Sequence, residues 1–224
     1  MPYLYLVRHA QPDFAGNYDS ITALGAQQSR WLGEHFAARG LRFARVVSGT
    51  LARQVATRDL VAAALGLPID GVQDPGLNEY DHLSLLQEFE GERLHAIRAS
   101  GDRRLYFAAI RRAMEQWSRR EEAPAGGETW TQFGARIHAG VERACAGLQR
   151  DDNVLVVTSG GVIGRYTADL LGASPDVAIQ LNLQVRNTSV SEVIRPDAKP
   201  ARLVSFNAIA HLERADRSHA ITHS

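Results

Sequence analysis

The stretch Tyr3-Leu4-Tyr5-Leu6-Val7-Arg8-His9-Ala10 opens as an apolar run and stops on an arginine and a histidine. Such a run suits a strand buried inside an α/β sheet, and ligands of those sheets collect at the carboxyl ends of the strands. Arg8 and His9 therefore stand where a substrate would lie. A guanidinium is permanently cationic and offers a planar fork to phosphate or carboxylate, so phosphate chemistry is the first expectation.

Outward from that strand, the pattern alternates strand and helix. Thr22 opens a helical stretch to about Arg39, stopped by Gly40, with Leu24, Trp31, Leu32 and Phe36 near helical spacing. Residues 44–48 read as a second strand. Thr50 or Ser48 is placed to cap the next helix, about 51–65, which ends at Gly66 before Pro68. Pro68 to Gly76 is rich in turn residues and leads into Leu77-Asn78-Glu79-Tyr80-Asp81-His82. Residues 83–121 carry many charges in a helical pattern and read as two helices with a break at Ser100-Gly101-Asp102. Glu128 to Gln149 is helical again. Asn153 to Thr158 is the best central strand, and Ser159-Gly160-Gly161 turns it into a helix ending near Gly172. Further strands are expected at about 180–186, 189–195 and 201–206.

This alternation predicts a three-layer α/β/α sandwich with a largely parallel sheet and a helical insertion at about 83–121. One domain over 1–213 is expected, followed by a loose polar tail, 214–224. The 224 residues are 45% hydrophobic, enough for a core of that size. Lys plus Arg and Asp plus Glu number 25 each, and this balance argues against a nucleic-acid-binding surface. The lone Cys145 excludes an internal disulfide and sits at helical spacing with Ile137, Val141 and Leu148, as a packed thiol. No signal peptide opens the chain and no apolar run is long enough to span a bilayer. A cytoplasmic protein without a membrane partner is the expectation.

Four features could converge on a phosphate: Arg8 with His9, Arg53 in the first turn of a helix, Glu79 in a loop, and the Ser159-Gly160-Gly161 turn. That turn can offer backbone N–H groups and a positive helix end to an anion. Singly each is weak: an arginine in a first turn is most often a solvated charge, and a Gly-Gly turn after a strand is common. Their order is more specific.

In that order the chain resembles the histidine phosphatase superfamily, the phosphoglycerate mutase-like proteins. Leu6-Val7-Arg8-His9-Ala10 matches the family's Arg-His-Gly signature with Ala10 in place of glycine. Thr22 to Gln28 looks like the opening of its first helix, and Ser48 to Thr57 like its second-arginine motif. Leu77-Asn78-Glu79 looks like its acidic motif, and Gly126-Gly127-Glu128-Thr129 resembles its later Gly-Glu-Ser loop. Val154 to Gly164 matches its second-histidine block, and Asn187-Thr188-Ser189 a late structural turn.

The resemblance implies that His9 attacks phosphorus and carries the phosphoryl group, that Arg8 and Arg53 hold its oxygens, and that Glu79 protonates the leaving oxygen. It implies hydrolysis of a phosphate monoester, on a phosphorylated small molecule or a phosphoprotein; no metal-ligand spacing links the histidines, so neither metal nor cofactor is expected. Phosphoglycerate mutase-type transfer is an alternative, and so is a catalytically weak phospho-ligand binder. The latter is favoured by one departure: Ser159 stands where the family usually has a second histidine. Serine donates only a neutral hydrogen bond, and losing one charged donor costs on the order of 10²–10³ in rate. Ser159 and Gly160 are then the phosphate-binding turn, and His82, just after Glu79, is a possible compensating group set against the blander reading of a loop histidine. His35, His95 and His138 read as surface or satisfied histidines, and Trp31, Trp117 and Trp130 as packing residues. The arginines between Arg93 and Arg120 read as a solvated face. Oligomeric state is not legible in the sequence.

Overall fold

The computed structural model describes residues 2–14, 16–67, 71–196 and 200–223. The N-terminal apolar run is strand β1 (Tyr3–Arg8). It is followed by α1 (Ala23–Ala38), β2 (Arg45–Ser48), α2 (Ala52–Ala64) and the short β3 (Val72–Gln73). Helices α3 (His82–Glu90), α4 (Arg93–Ser100), α5 (Arg103–Arg119) and α6 (Trp130–Cys145) come next. The chain then forms β4 (Asn153–Thr158), α7 (Gly160–Leu170), α8 (Pro175–Gln184), β5 (Val190–Ile194) and β6 (Arg202–Ala208). One sheet runs β3-β2-β4-β1-β5-β6. Its first four strands are parallel neighbours, whereas β5 and β6 run antiparallel.

The central pair explains why β1 and β4 read as continuous apolar runs. They align from Tyr3 opposite Asn153 to Arg8 opposite Thr158, and each is buried at every residue after its first, so both faces of both strands are covered. The two-residue period divides their side chains between two cores. Leu4, Leu6, Val154 and Val156 join Trp117, Phe133, Ile137 and Val162 on one face. Tyr5, Val7, Leu155 and Val157 join Leu32, Phe36 and Val61 beneath α1 and α2 on the other. This is the expected sandwich, with the carboxyl ends of β1, β2 and β4 at one edge. Among the described residues, no helix is long and apolar enough to cross a membrane.

Four local expectations change. Residues 83–121 form three helices rather than two. Besides the expected break, where Gly101 takes φ +63° and Asp102 caps α5 at the Arg104 N–H, α3 stops at Gly91 with φ +50°. Residues 180–186 belong mainly to α8, not a strand. The alternation Ile179-Leu181-Leu183-Val185 imitates a strand, but the fully covered positions are Ala178, Ile179 and Asn182, at helical spacing against α7. β3 forms inside the turn-rich stretch, as two exposed residues beside β2; Pro68 to Asp70 of that stretch lie outside the described residues. The tail is docked rather than loose. A 3₁₀ turn (Ala215–Ala220) buries Ala220, and the Thr222 hydroxyl donates to Asn187 Oδ1 at 2.9 Å.

Candidate active site

His9 leaves the end of β1 with its backbone held on both sides. Its N–H donates to the Thr158 carbonyl at 2.8 Å, and its carbonyl accepts from Asn187 Nδ2 at 3.1 Å. Ring Nδ1 lies 2.8 Å from the Ala10 carbonyl oxygen. A carbonyl only accepts, so Nδ1 carries the proton and Nε2 the lone pair. The ring is 1% exposed, and burial, then Arg53 and Arg8, hold its pKa well below the ordinary histidine value. His9 is thus a neutral, oriented imidazole at neutral pH.

Arg53 reaches that ring from the first turn of α2, its Nε donating to His9 Nε2 at 3.3 Å. Leu51 occupies the N-cap of this helix, and neither Thr50 nor Ser48 caps it. Asp19, from the loop after β1, takes over instead. Its carboxylate accepts from the Ala52 N–H at 3.0 Å and from Arg53 Nη1 at 2.7 Å. One acid therefore neutralises the helix end and aims the guanidinium, while Tyr18 lies under that guanidinium at 4.9 Å.

Arg8 is the last residue of β1 and is nearly covered. Its Nη1 donates to the Val185 carbonyl, and its buried Nε has no hydrogen-bond partner among the described residues. An unpaired buried donor is costly, and an anion beside it would remove the cost. Gly160 lies close by: a Cβ there would sit 3.6 Å from Arg8 Cζ.

Glu79 faces the same site. Its Oε2 accepts from the Gly161 N–H at 3.0 Å and its Oε1 from the Tyr80 N–H at 3.2 Å. Burial nevertheless raises its pKa, outweighing those bonds and the two arginines. Gly161 is required for this approach, since a Cβ would fall 2.2 Å from Glu79 Oε1. The loop carrying Glu79 is braced from behind. Arg136 of α6 donates to the Gly76 carbonyl at 3.1 Å and the Asn78 carbonyl at 2.6 Å, while its Nη2 pairs with Glu128 at 2.6 Å. Glu128 therefore meets the site only through Arg136.

Ser159 is fully buried at the N-cap of α7, yet its side chain does not cap the helix. Its Oγ accepts from Gln54 Nε2 at 2.8 Å. Gln54, also fully buried, has its second amide hydrogen directed to the Leu77 carbonyl at 3.3 Å. This carboxamide ties α2, the acidic loop and the α7 turn together. With the Oγ lone pair so engaged, the Ser159 proton is left to donate elsewhere. Gln54 and Asp19 are the site residues that sequence reasoning missed. The one available signal was a glutamine on the inward side of a helix, directly after Arg53.

His82 lines the adjoining cavity. Its ring lies 5.5 Å from that of Tyr18, and burial, then Arg53, lowers its pKa to about 4. Among the described residues no hydrogen bond links it to Ser159 or His9. His138 pairs instead with Asp169 at 3.0 Å, and Trp117 and Trp130 are packed in the core. Cys145 is partly buried against the same core, which raises its thiol pKa. Two guanidinium groups, a neutral imidazole, a carboxyl with a raised pKa and a helix N-terminus thus meet at one sheet edge. Such a set suits a doubly charged oxyanion next to a group needing a proton.

Among solved structures, Bacillus stearothermophilus YhfR superposes with a TM-score of 0.72 at 23% identity, over 95% of this chain and 100% of that one. A putative α-ribazole-5′-P phosphatase from Escherichia coli K-12 gives 0.66 at 25% identity, over 93% and 97%. A mycobacterial glucosyl-3-phosphoglycerate phosphatase complexed with VO3 also gives 0.66 at 25%, over 92% and 98%. No curated protein matches the chain. The histidine phosphatase superfamily (branch 1) matches residues 4–209, nearly the whole length, so the chain belongs to that superfamily.

Proposed function

We propose that the protein is a phosphatase that hydrolyses a phosphate monoester through a phosphohistidine on His9. The observation that carries this reading is the His9 ring itself. Its Nδ1 proton is fixed on the Ala10 carbonyl, and its Nε2 lone pair faces the Arg53 guanidinium at 3.3 Å. A nucleophile so oriented attacks phosphorus without first losing a proton. Arg53 and Arg8 then hold the non-bridging oxygens, the unpaired Arg8 Nε gaining its partner. Ser159 and the Gly160 N–H complete the anion cradle at the start of α7. Glu79, whose pKa burial raises, is the group placed to give a proton to the leaving oxygen. In the second half it recovers a proton from the water that attacks the phosphohistidine. The P–O bond to the leaving group is replaced by P–N, then by P–O to water, and the imidazole is regenerated.

The substrate class is a phosphorylated small molecule. The relatives at 25% identity are described as acting on α-ribazole-5′-phosphate and glucosyl-3-phosphoglycerate. No divalent ion has a role in these steps, because two arginines neutralise the transferring group.

Rapid quench of the protein with ³²P-labelled ester into alkaline detergent tests this. The expected result is an acid-labile, base-stable phosphoprotein that is absent in His9→Ala and unaffected by chelator. Turnover without any label on His9, or turnover restored to chelated protein only by a divalent ion, overturns it.

A further inference from the structure

A cavity of about 500 Å³ opens directly beyond Arg8 and Glu79, between the loop after β1 and helices α3 to α5. That volume lies within the range of roughly 300–1,000 Å³ that holds a drug-sized molecule, well above what a phosphate alone needs. Its walls are largely carbon, with Phe14, Ile97, Phe107, Ile110 and Leu183 among them. Phe14 is 50% exposed at the mouth of the cavity, its ring 5.0 Å from that of Tyr18. Arg103 stands between two rings, 5.2 Å from Phe14 and 5.9 Å from Phe107, its Nη2 anchored on the His223 carbonyl at 3.0 Å. The docked tail therefore helps to shape this wall.

Part of the polar lining is already engaged. Glu79 binds two backbone N–H groups. Asp102 Oδ1 accepts from the Arg104 N–H at 2.7 Å, and the Tyr80 hydroxyl lies 3.2 Å from both Asn182 Nδ2 and Met114 Sδ. A sugar placed here would set most of its hydroxyls against carbon and lose their water, an unfavourable exchange. An apolar ring would gain contact with Phe14 and Phe107 and with the face-on cation of Arg103.

We infer that this cavity is the leaving-group subsite and selects phosphate monoesters of apolar, ring-bearing alcohols or phenols over phosphosugars. The inference rests on the monoesterase reading of the adjoining His9 site. Its test compares kcat/KM for 1-naphthyl phosphate, glycerol 2-phosphate and glucose 6-phosphate, with calorimetric binding of 1-naphthylmethylphosphonate and methylphosphonate alongside. A preference of about tenfold or more for the naphthyl compounds is expected in both measurements. In Phe14→Ala, the naphthyl-to-glycerol ratio falls several-fold, through KM rather than kcat. Phe14 is half exposed, so this change opens no core. Equal or better turnover of glucose 6-phosphate, or a ratio unmoved by Phe14→Ala, overturns the inference. Should no ester be hydrolysed while the naphthyl phosphonate keeps its advantage, the subsite stands and the phosphatase reading falls. Equal binding of the two phosphonates removes the subsite.

Discussion

The Ser159 hydroxyl lies 2.8 Å from the Gln54 carboxamide, and both residues are fully covered. A lone Ser159→His substitution would push an imidazole into space that the carboxamide already fills. Overpacking of this kind costs roughly 1–3 kcal/mol. Ser159→His is therefore expected to lower both stability and kcat, and the double variant Gln54→Ala/Ser159→His to recover a good part of each. Urea denaturation and steady-state kinetics on the three proteins check this. A single variant faster than the parent would show that the site had not been rebuilt around serine. The same pair marks the limit of legibility. Arg8, His9, Arg53 and Glu79 carry local signals, being at a strand end, in a first helical turn or in a short loop after an apolar residue. Gln54 carries only its inward place on the helix, which does not name its partner, because Ser159 is 105 residues away, and Asp19 lies 34 residues before the Arg53 it orients. Roles set by such long-range closure are not written in the spacing of neighbours.

The elements were legible where one strong period governed them. β1, β4 and α7 appear within a residue or two of expectation, since interior strands and a strand-to-helix Gly-Gly turn leave few alternatives. α8 was misread because its apolar residues alternate over a short window while its burial follows the helical spacing imposed by α7. The bracing of the acidic loop by α6 also belongs to this scale. Thr129 starts α6 in a reciprocal cap with Gln132, which fixes Arg136 one turn later beneath the loop of Glu79. Arg136→Ala should leave the loop carbonyls of Gly76 and Asn78 without their donor and let Glu79 drift from Gly161. A fall in kcat of about tenfold or more is expected, with KM little changed, as for a misplaced proton donor. Arg136→Lys should restore part of it through a single point charge. Steady-state kinetics decide this, and an unchanged kcat in Arg136→Ala would separate the brace from catalysis.

At the scale of the whole molecule, folding stores histidines in their neutral form. Burial, before the nearby cations, lowers the His9 pKa well below its ordinary value, that of His82 to about 4 and that of His211 to about 3. His211 is 2% exposed, with Thr188 Oγ1 2.9 Å from its Nε2. In the unfolded chain each titrates near its ordinary pKa of about 6.5. The sign follows: between that value and the folded pKa, the unfolded state binds more protons, so stability falls as pH falls. Above about 6.5 these groups contribute no pH dependence, because both states hold them neutral. Each histidine adds a slope of up to about 1.4 kcal/mol per pH unit within its window. Glu79, with a raised folded pKa, acts in the opposite sense, favouring the folded state at low pH and losing that contribution as pH rises through its folded pKa. His35 and His223 are lowered in the same sense, so Glu79 titrates one proton against five and the histidines set the trend. Urea denaturation from pH 7 to 4.5 is expected to show a steep loss of stability beginning just below pH 6.5. His211→Gln, which keeps a polar partner for Thr188 without a titratable ring, should flatten that slope by about one proton over the same range. A variant with the parent's slope would mean that His211 titrates alike in both states, and the acid loss would then belong to the other histidines.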